Sequence, residues 1–380
     1  MPEAPRTAQV LAALLAAGEP VMPVGGGTKL GWGAPGQRGL IPLSTAGLDQ
    51  LVEHNEGDLT AVIQAGVGLA AAQERFATAG QRLALDPPDG SGRATLGGVV
   101  ATGDSGPLRH RFGSVRDLIL GVQVALPDGT VARAGSKVIK NVAGYDLAKL
   151  MCGSLGTLGV VCEVTVRLHP RPAESATAVG RGADPDTIAA AGRALARLPL
   201  ELEALDLRWE DGAGAVLARA VGHAAGEQSD AAAAVLRGAG LEAEIVKDDD
   251  ALWAAQRAAQ RAAAAAGGEA PPAGAPEAVV RVSALPVRLG EVLRAGSLVV
   301  ARAGLGLAWV HVPADPDAIA ELRARLAPAP CVVLDAPEEL RAAVDPWGVA
   351  DGPELTLMRR VKERFDPAGV CNPHRYVGGI

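Results

Sequence analysis

Three glycine-rich segments in the first half of the chain have the residue types and spacing of a site for a phosphate-bearing ligand. The first reads Gly-Gly-Gly-Thr-Lys at residues 25–29 and directly follows a short apolar segment. Consecutive glycines after a strand can present a concave row of backbone N–H groups, which binds phosphate oxygens. A flexible connecting loop explains this segment alone equally well. The Rossmann and P-loop motifs do not fit, because Leu30 stands where the former needs glycine and no Gly-Lys-Ser/Thr follows.

The other two segments fit the same ligand. Residues 96–102 read Leu-Gly-Gly-Val-Val-Ala-Thr, and residues 153–161 read Gly-Ser-Leu-Gly-Thr-Leu-Gly-Val-Val. Adjacent glycines in a helix-compatible run cost about 1 kcal/mol each relative to alanine, so a compensating role such as close approach to a ligand is expected. The spaced glycines of the third segment allow a backbone to lie against a flat or charged group, although a tight helix-to-strand connection uses the same pattern.

Other kinds of chemistry have little support. The formal net charge of -7 and the pI near 5.5 argue against nucleic acid as a main partner. His223 and His311 stand alone among apolar neighbours, which favours structural roles. The cysteines are widely spread, which excludes a zinc or iron–sulfur site and suits a reducing compartment. They are Cys152, Cys162, Cys331 and Cys371.

The elements around the glycine segments indicate an α+β domain. No run reaches the roughly 18 apolar residues that a membrane span needs, and the apolar N-terminus has the one-sided stripe of an amphipathic helix. A cytoplasmic protein is therefore expected. The predicted helices cover residues 10–17, 70–79 and 147–152, and the predicted strands cover residues 21–24, 39–43, 59–64, 118–126, 130–134 and 160–166.

After residue 172 the pattern changes to two similar halves. Residues 176–246 and 278–334 each read strand, helix, strand, strand, helix, strand, and an alanine-rich helix at 251–266 and a Gly/Pro linker at 267–276 separate them. Two ferredoxin-like units in tandem can share one antiparallel sheet. A helix is predicted at 354–364.

These motifs resemble the FAD-binding domain of the vanillyl-alcohol-oxidase, or PCMH-type, flavoproteins. The three glycine segments and Phe-Gly-Ser-Val-Arg-Asp at 112–117 carry this resemblance. Three further runs are most similar to the small FAD-binding subunits of bacterial glycolate oxidases. They are Ser-Gly-Pro-Leu-Arg at 105–109, Val-Ile-Lys-Asn-Val-Ala-Gly-Tyr-Asp at 138–146 and Leu-His-Pro-Arg-Pro at 168–172.

The resemblance implies an α+β fold in three parts. A two-part FAD-binding domain of the PCMH type would cover residues 1–172. An antiparallel-sheet, ferredoxin-like cap domain of two βαββαβ-like units would cover residues 173–350. The C-terminal segment, residues 351–380, would return to the FAD domain, because Phe-Asp-Pro-Ala-Gly-Val-Cys-Asn-Pro-His-Arg at 365–375 resembles the family's tail, with His374 in place of the usual glycine.

The resemblance also implies FAD, held non-covalently because no histidine or cysteine stands in residues 25–29. That loop would hold the pyrophosphate, the second segment would line the dinucleotide, and the third would face the ribityl chain and flavin ring. The implied cofactor-binding residues are Gly25, Gly26, Gly27, Thr28, Lys29, Pro87, Gly97, Gly98, Thr102, Gly106, Gly144, Tyr145, Gly156, Thr157, Gly159, Val160 and Asn372.

Three of the residues in these motifs keep two explanations. Tyr145 packs on adenine or fills the core. Asn372 contacts the flavin edge or forms an Asn-Pro turn. Asp146 is better explained as the N-cap of the following helix than as a ligand contact.

The function implied is that of an FAD-binding redox subunit of a glycolate oxidase complex. Such a complex oxidises glycolate, a small 2-hydroxy acid, to glyoxylate and passes electrons on. The implied partners are a larger FAD-binding glycolate oxidase subunit and an iron–sulfur subunit, in the cytoplasm or peripheral to the inner membrane through those partners. Two alternatives stay open: a stand-alone FAD-dependent dehydrogenase of another small hydroxy acid or alcohol, and a flavin-bearing assembly subunit without turnover.

Catalytic residues cannot be assigned from the sequence. Catalytic relatives carry a His-Pro-x-Gly-Asp-Gly-Asn-x-His signature in the cap, whose histidines bind metal and place a base. This chain has no such run, so no metal site is expected.

Overall fold

The computed structural model of the chain describes residues 4–36, 39–89, 91–136, 147–262 and 276–380. The N-terminal part contains a five-stranded antiparallel sheet of order β3-β4-β8-β6-β7, a parallel pair β1-β2 and a short pair β5-β9. Its strands are β1 (Val21–Val24), β2 (Ile41–Ser44), β3 (Leu51–Asn55), β4 (Thr60–Gln64), β5 (Gln81–Arg82), β6 (Ile119–Ala125), β7 (Val131–Gly135), β8 (Val160–Arg167) and β9 (His169–Pro170). Its helices are α1 (Ala8–Ala16), α2 (Leu69–Ala77), α3 (Leu96–Thr102), α4 (Arg109–Phe112), α5 (Val115–Leu118) and α6 (Ala148–Met151).

Helix α3 carries the second glycine segment and is fixed by local signals at both ends. The Thr95 side chain caps its N-terminus by accepting from Gly98 N, and Gly103 ends it with a φ of +64°. A Cβ on Gly97 would lie 2.6 Å from Ala65 Cβ, so only glycine lets α3 pack directly on the end of β4. Gly97 therefore allows close helix–sheet packing, whereas Gly98 is not required by it.

The second part of the chain contains one eight-stranded antiparallel sheet of order β13-β10-β12-β11-β15-β16-β14-β17. Its strands are β10 (Ser175–Gly182), β11 (Leu202–Glu210), β12 (Ala213–Val221), β13 (Glu242–Val246), β14 (Glu277–Ser283), β15 (Leu298–Arg302), β16 (Leu307–Pro313) and β17 (Cys331–Asp335). The helices from here to the C-terminus are α7 (Pro185–Leu195), α8 (Ala225–Gly238), α9 (Asp250–Ala258), α10 (Leu289–Leu293), α11 (Pro316–Leu326), α12 (Glu338–Ala343) and α13 (Pro353–Phe365), with 3-10 turns at Pro286–Arg288 and Val377–Gly379.

The two predicted ferredoxin-like units share this sheet, as the sequence indicates. In each half the strands lie in the order fourth, first, third, second, and the two second strands, β11 and β15, pair at the centre. Asp206 lies opposite Arg302 in that pairing, and the two form an ion pair with no solvent exposure. The α+β class and the shared antiparallel sheet are confirmed, while the domain boundaries at residues 172 and 350 stay a prediction.

Three local predictions are corrected by the structure. Leu118 does not begin a strand but is the last residue of helix α5, because Ser114 and Asp117 form a capping box at the start of that helix. Strand β3, which pairs with β4, was not predicted. Helix α9 ends at Ala258, short of the predicted residue 266. Among the described residues, no helix combines the length and the apolar character that a membrane crossing requires.

Buried polar contacts join the two parts of the chain. Arg82 and Glu203 form an ion pair across the interface, and Arg111 pairs with Glu201 at its edge. Asp86 lies on the same interface, where its Oδ1 accepts from Leu108 N at 3.0 Å and its Oδ2 is 3.9 Å from an Arg257 nitrogen. Burial raises the pKa of Asp86 to about 7 against the opposing charge of Arg257.

This raised pKa predicts a pH-dependent cost to stability. Between about pH 4 and pH 7 the folded protein keeps a proton on Asp86 that the unfolded chain releases, so the free energy of unfolding falls as the pH rises. A shift of this size corresponds to a few kcal/mol, on the order of 1.4 kcal/mol per pKa unit. Asp86→Asn should therefore show a flatter dependence in urea unfolding at pH 4.5 and pH 8. If the free energy of unfolding changed by the same amount between the two pH values in the wild type and in Asp86→Asn, the prediction would be contradicted.

Candidate functional site

A continuous groove with three chambers runs through the N-terminal part to its interface with the eight-stranded sheet. The inner and loop chambers share Pro23, Gly25, Gly98 and Ala101, and the loop and arginine chambers share Trp32, Thr102 and Leu155. The inner chamber is lined by residues that include Val24, Thr45, Ala65, Gly97, Gly156, Gly159 and Val160. The loop chamber is lined by residues that include Gly25, Gly26, Gly27, Thr28, Lys29, Thr95, Asn372 and Arg375. The arginine chamber is lined by residues that include Arg109, Arg116, Arg281, Trp347 and Tyr376.

Most of the predicted cofactor-binding residues line this groove. They come from all three glycine segments and from the tail, although these segments are far apart in sequence. The residues brought together are Gly25, Gly26, Gly27, Thr28, Lys29, Gly97, Gly98, Thr102, Gly156, Gly159, Val160 and Asn372.

Three predicted residues do not line the groove. A Cβ on Gly106 would lie 1.8 Å from the Asp86 carbonyl oxygen, so this glycine allows two chain segments to touch, and Pro87 belongs to the segment it touches. Thr157 faces α13 instead, because its carbonyl accepts from Lys362 Nζ at 2.7 Å. Gly144, Tyr145 and Asp146 lie outside the described residues.

The first glycines of the loop at residues 25–29 are required by packing. A Cβ on Gly25 would lie 2.1 Å from Thr95 Oγ1, and one on Gly26 would lie 1.6 Å from the Arg93 carbonyl oxygen. The loop therefore lies directly on the segment that leads into α3. As a result, part of the groove is lined by backbone, which is the arrangement that phosphate binding by N–H groups needs.

Lys29 forms the main charge contact of the loop. Its Nζ lies 3.1 Å from Asp104 Oδ2, and both side chains are about 95 % buried, at 5 % and 3 % exposure. The pair ties the loop to the turn that follows α3. A buried pair of this kind is costly to break from one side, because the remaining charge stays buried without a partner.

We expect Lys29→Met to destabilise the protein by about 3 kcal/mol, since it leaves the Asp104 carboxylate buried and unpaired. The double variant Lys29→Met/Asp104→Asn should recover most of that loss, because neither charge remains. Urea unfolding of Lys29→Met, of Asp104→Asn and of the double variant measures the coupling energy between the two residues. Additive losses in the double variant would show that the pair has no energetic role.

Asn372 lies in a turn, as one of its two explanations predicts, and its contact with a flavin stays a prediction. Its φ of +42° is that of a turn, and its Nδ2 donates to the Leu155 carbonyl at 2.7 Å. Its Oδ1 is buried and has no partner among the described residues. A buried acceptor without a partner is costly unless a ligand satisfies it, so Asn372 offers an acceptor to a hydroxyl group in the loop chamber.

Three arginines line the arginine chamber, and two of them, Arg109 and Arg281, are partly buried. Arg281 projects from β14 and Arg109 from α4, and no carboxylate of the described residues forms an ion pair with either one. Burial lowers the pKa of both arginines, and for Arg109 the positive charge of Arg281 adds to the effect. The carboxylate of Asp104 attracts both guanidinium groups without forming an ion pair with either one, so the chamber keeps positive charge that can bind an anion.

Sequence reasoning missed this chamber, although one signal was present. Arg281 interrupts the apolar run at residues 278–282 of strand β14, where a charge is expected only with a partner or a function. Arg109 and Tyr376 gave no comparable signal. His311 is structural, as predicted: its Nε2 bonds to the Ala259 carbonyl and its Nδ1 lies 2.9 Å from Glu277. No cluster of metal-ligating side chains occurs in the part of the chain that the structure describes.

Two family profiles match the chain. Residues 4–135 match the family described as FAD binding domain, and residues 349–376 match the C-terminal domain of FAD linked oxidases. Both matched segments contribute residues to the groove.

Several characterised proteins are similar to parts of the chain. Glycolate oxidase subunit GlcE of Escherichia coli is 42% identical over 125 residues, which are 33% of this chain and 36% of that protein. The mitochondrial D-lactate dehydrogenase [cytochrome] of Arabidopsis thaliana is 34% identical over 42% of this chain and 28% of its own length. Glycolate oxidase subunit GlcD of Bacillus subtilis is 36% identical over 40% and 32%. The matched region thus spans about a third of each relative.

The fold is shared with a solved structure of an alkyldihydroxyacetonephosphate synthase. The TM-score is 0.71, and the match covers 98% of this chain and 76% of that one at 14% identity. At that identity the likeness describes the architecture alone.

Proposed function

We propose, from the premise that this chain belongs to the PCMH-type FAD-binding family, that it is an FAD-dependent oxidoreductase acting on small 2-hydroxy acids. The finer part of the proposal is that it oxidises glycolate to glyoxylate as one subunit of a glycolate oxidase complex.

The groove fits an extended dinucleotide in one direction. The loop chamber is lined by the backbone of the glycine loop, which suits the pyrophosphate, and the Lys29–Asp104 pair fixes that loop. The arginine chamber lies against the cap, where a substrate would enter, so it suits the end of the flavin ring, and the inner chamber then takes the adenine. This direction differs from the role predicted for Gly156, Gly159 and Val160, which lie in the inner chamber. Bound FAD would supply the hydride-accepting group.

The unpaired arginines of the arginine chamber carry the substrate proposal. Arg281 comes from the cap strand β14 and Arg109 from the N-terminal part, so a carboxylate between them would be held from both sides. Guanidinium groups match a carboxylate in a bidentate geometry. Burial raises the pKa of Tyr376, which lines the same chamber, so its hydroxyl stays protonated and can donate to a substrate oxygen.

The partner proposal rests on cysteine usage and on the relatives. The four cysteines form no disulfide and are spread over the chain, with Cys152 half-buried and the other three buried, so they do not form a set of cluster ligands. Electrons from a bound flavin would therefore pass to another protein or to a mobile acceptor. Two similar proteins are named as glycolate oxidase subunits. We propose a larger FAD-binding subunit and an iron–sulfur subunit as partners, in the cytoplasm or at the inner membrane.

A second candidate is a stand-alone dehydrogenase, and the arginine chamber favours it. A chain that holds both arginines could bind a hydroxy acid without a partner. The deciding experiment is glycolate- and D-lactate-dependent dye reduction by the isolated, FAD-replete chain and by the co-expressed complex. Turnover per flavin at least tenfold higher in the complex supports the subunit, whereas equal turnover supports the stand-alone enzyme. No reduction of the flavin by any 2-hydroxy acid in either form would overturn both.

A further inference from the structure

The loop chamber is braced from the cap by a buried ion pair that the proposed chemistry does not use. Arg261 follows α9, and Asp335 ends β17. Arg261 Nε donates to Asp335 Oδ2 at 2.6 Å and Nη2 donates to Oδ1 at 3.0 Å, and each side chain is 5 % exposed. Ala262 N also donates to Oδ2 at 3.1 Å. The carboxylate and the guanidinium are thus fixed on the cap in one geometry.

Both members of this pair also form hydrogen bonds with residues 28–32, which include the end of the glycine loop at residues 25–29. Arg261 Nη2 donates to the Thr28 carbonyl at 3.1 Å, and Trp32 Nε1 donates to Asp335 Oδ1 at 2.8 Å. The guanidinium carbon of Arg261 lies 5.4 Å from the centre of the Trp32 ring, and Lys29 Nζ lies 5.8 Å from that centre. The segment 28–32 is therefore held by the cap through two hydrogen bonds and a stacked cation.

We propose that Arg261 and Asp335 are positioning residues that couple cap docking to FAD binding. The inference rests on the proposed FAD site, because Thr28 and Lys29 belong to the loop that would hold the pyrophosphate. A loop held in its binding geometry avoids an ordering cost when the ligand arrives. Coupling is reciprocal, so FAD must stabilise the docked cap by the same factor by which the docked cap tightens FAD.

The test is FAD titration of the apoprotein, followed by quenching of flavin fluorescence. The variant Arg261→Gln/Asp335→Asn removes both charges together and leaves no lone buried charge. Its matched control is Arg82→Gln/Glu203→Gln, which removes the buried ion pair that joins the same two parts away from the groove. We expect the Kd for FAD to rise at least tenfold in the first variant and less than twofold in the control, while the apoprotein melting temperature falls in both.

Arg261→Lys keeps the proposal testable if the double variant does not fold. Lysine keeps the charge beside Asp335 but loses the planar fork that reaches Thr28, so the Kd should still rise several-fold. A wild-type Kd in these variants, or an equal rise in the control, would overturn the coupling while the wild type still binds FAD. Failure of the wild type itself to bind FAD would overturn the proposed function, and the coupling with it.

Discussion

Arg281→Gln should remove most hydroxy-acid oxidation while FAD stays bound. The substitution withdraws one of the guanidinium groups that line the arginine chamber. Truncating one partner of a buried, charge-assisted contact costs about 3 kcal/mol, so kcat/KM should fall by roughly 10²-fold. A carboxylate clamp that acts before and during the reaction predicts that most of the loss is in KM. Steady-state dye reduction over a range of glycolate concentrations measures both constants.

Arg208→Gln is the matched control for this variant. Arg208 also projects from the cap sheet, on β11, but it pairs with Glu210 near the surface and away from the chamber. Its substitution should change neither constant by more than about twofold. An unchanged KM in Arg281→Gln, with FAD retained, would show that this arginine does not hold the substrate.

The second large effect is expected at Gly98, which lines both the inner and the loop chambers. A Cβ there would lie 3.2 Å from Thr95 Oγ1, a tight but tolerable contact, whereas any side chain at Gly26 would collide with backbone. Gly98→Asp places a carboxylate near the phosphates, and like charges about 4 Å apart repel by about 4 kcal/mol at the effective dielectric constant near a protein surface. We expect the Kd for FAD to rise on the order of 10²- to 10³-fold relative to Gly98→Asn.

The asparagine variant has nearly the same shape, so the comparison isolates charge from steric effects. The difference between the two variants should shrink at high salt, because mobile ions screen the repulsion. Fluorescence titration of both apoproteins with FAD provides the measurement. Equal Kd values would mean that the phosphates do not lie at this end of α3.

Much of the fold could be predicted because local signals agree with tertiary structure. Strand β1 was predicted with its observed bounds, and the strand order of the cap follows from the repeated βαββαβ pattern. The predicted start of the strand at residue 118 was wrong, because the capping box of α5 places that residue in a helix before the strand begins. Strand β3 was missed because its burial alternates weakly and its pairing with β4 is not visible in sequence.

The site divides in the same way. Glycine segments are visible because a glycine in an apolar run costs stability. Not every predicted glycine faces the groove, since Gly106 is required for packing against Asp86. The arginine chamber could not be predicted, because Arg109 and Arg281 are brought together only when the cap docks.

The return of the tail sets the order in which the protein can be completed during synthesis. Val21 N donates to the Val370 carbonyl at 2.8 Å, Asn372 N donates to the Val21 carbonyl at 2.9 Å, and Val21 pairs with Cys371 as a parallel bridge. The strand β1, which already pairs with β2, thus gains its second neighbour only after residues 173–350 have been synthesised. At about 5–20 residues per second, this leaves the second edge of β1 unpaired for tens of seconds during synthesis.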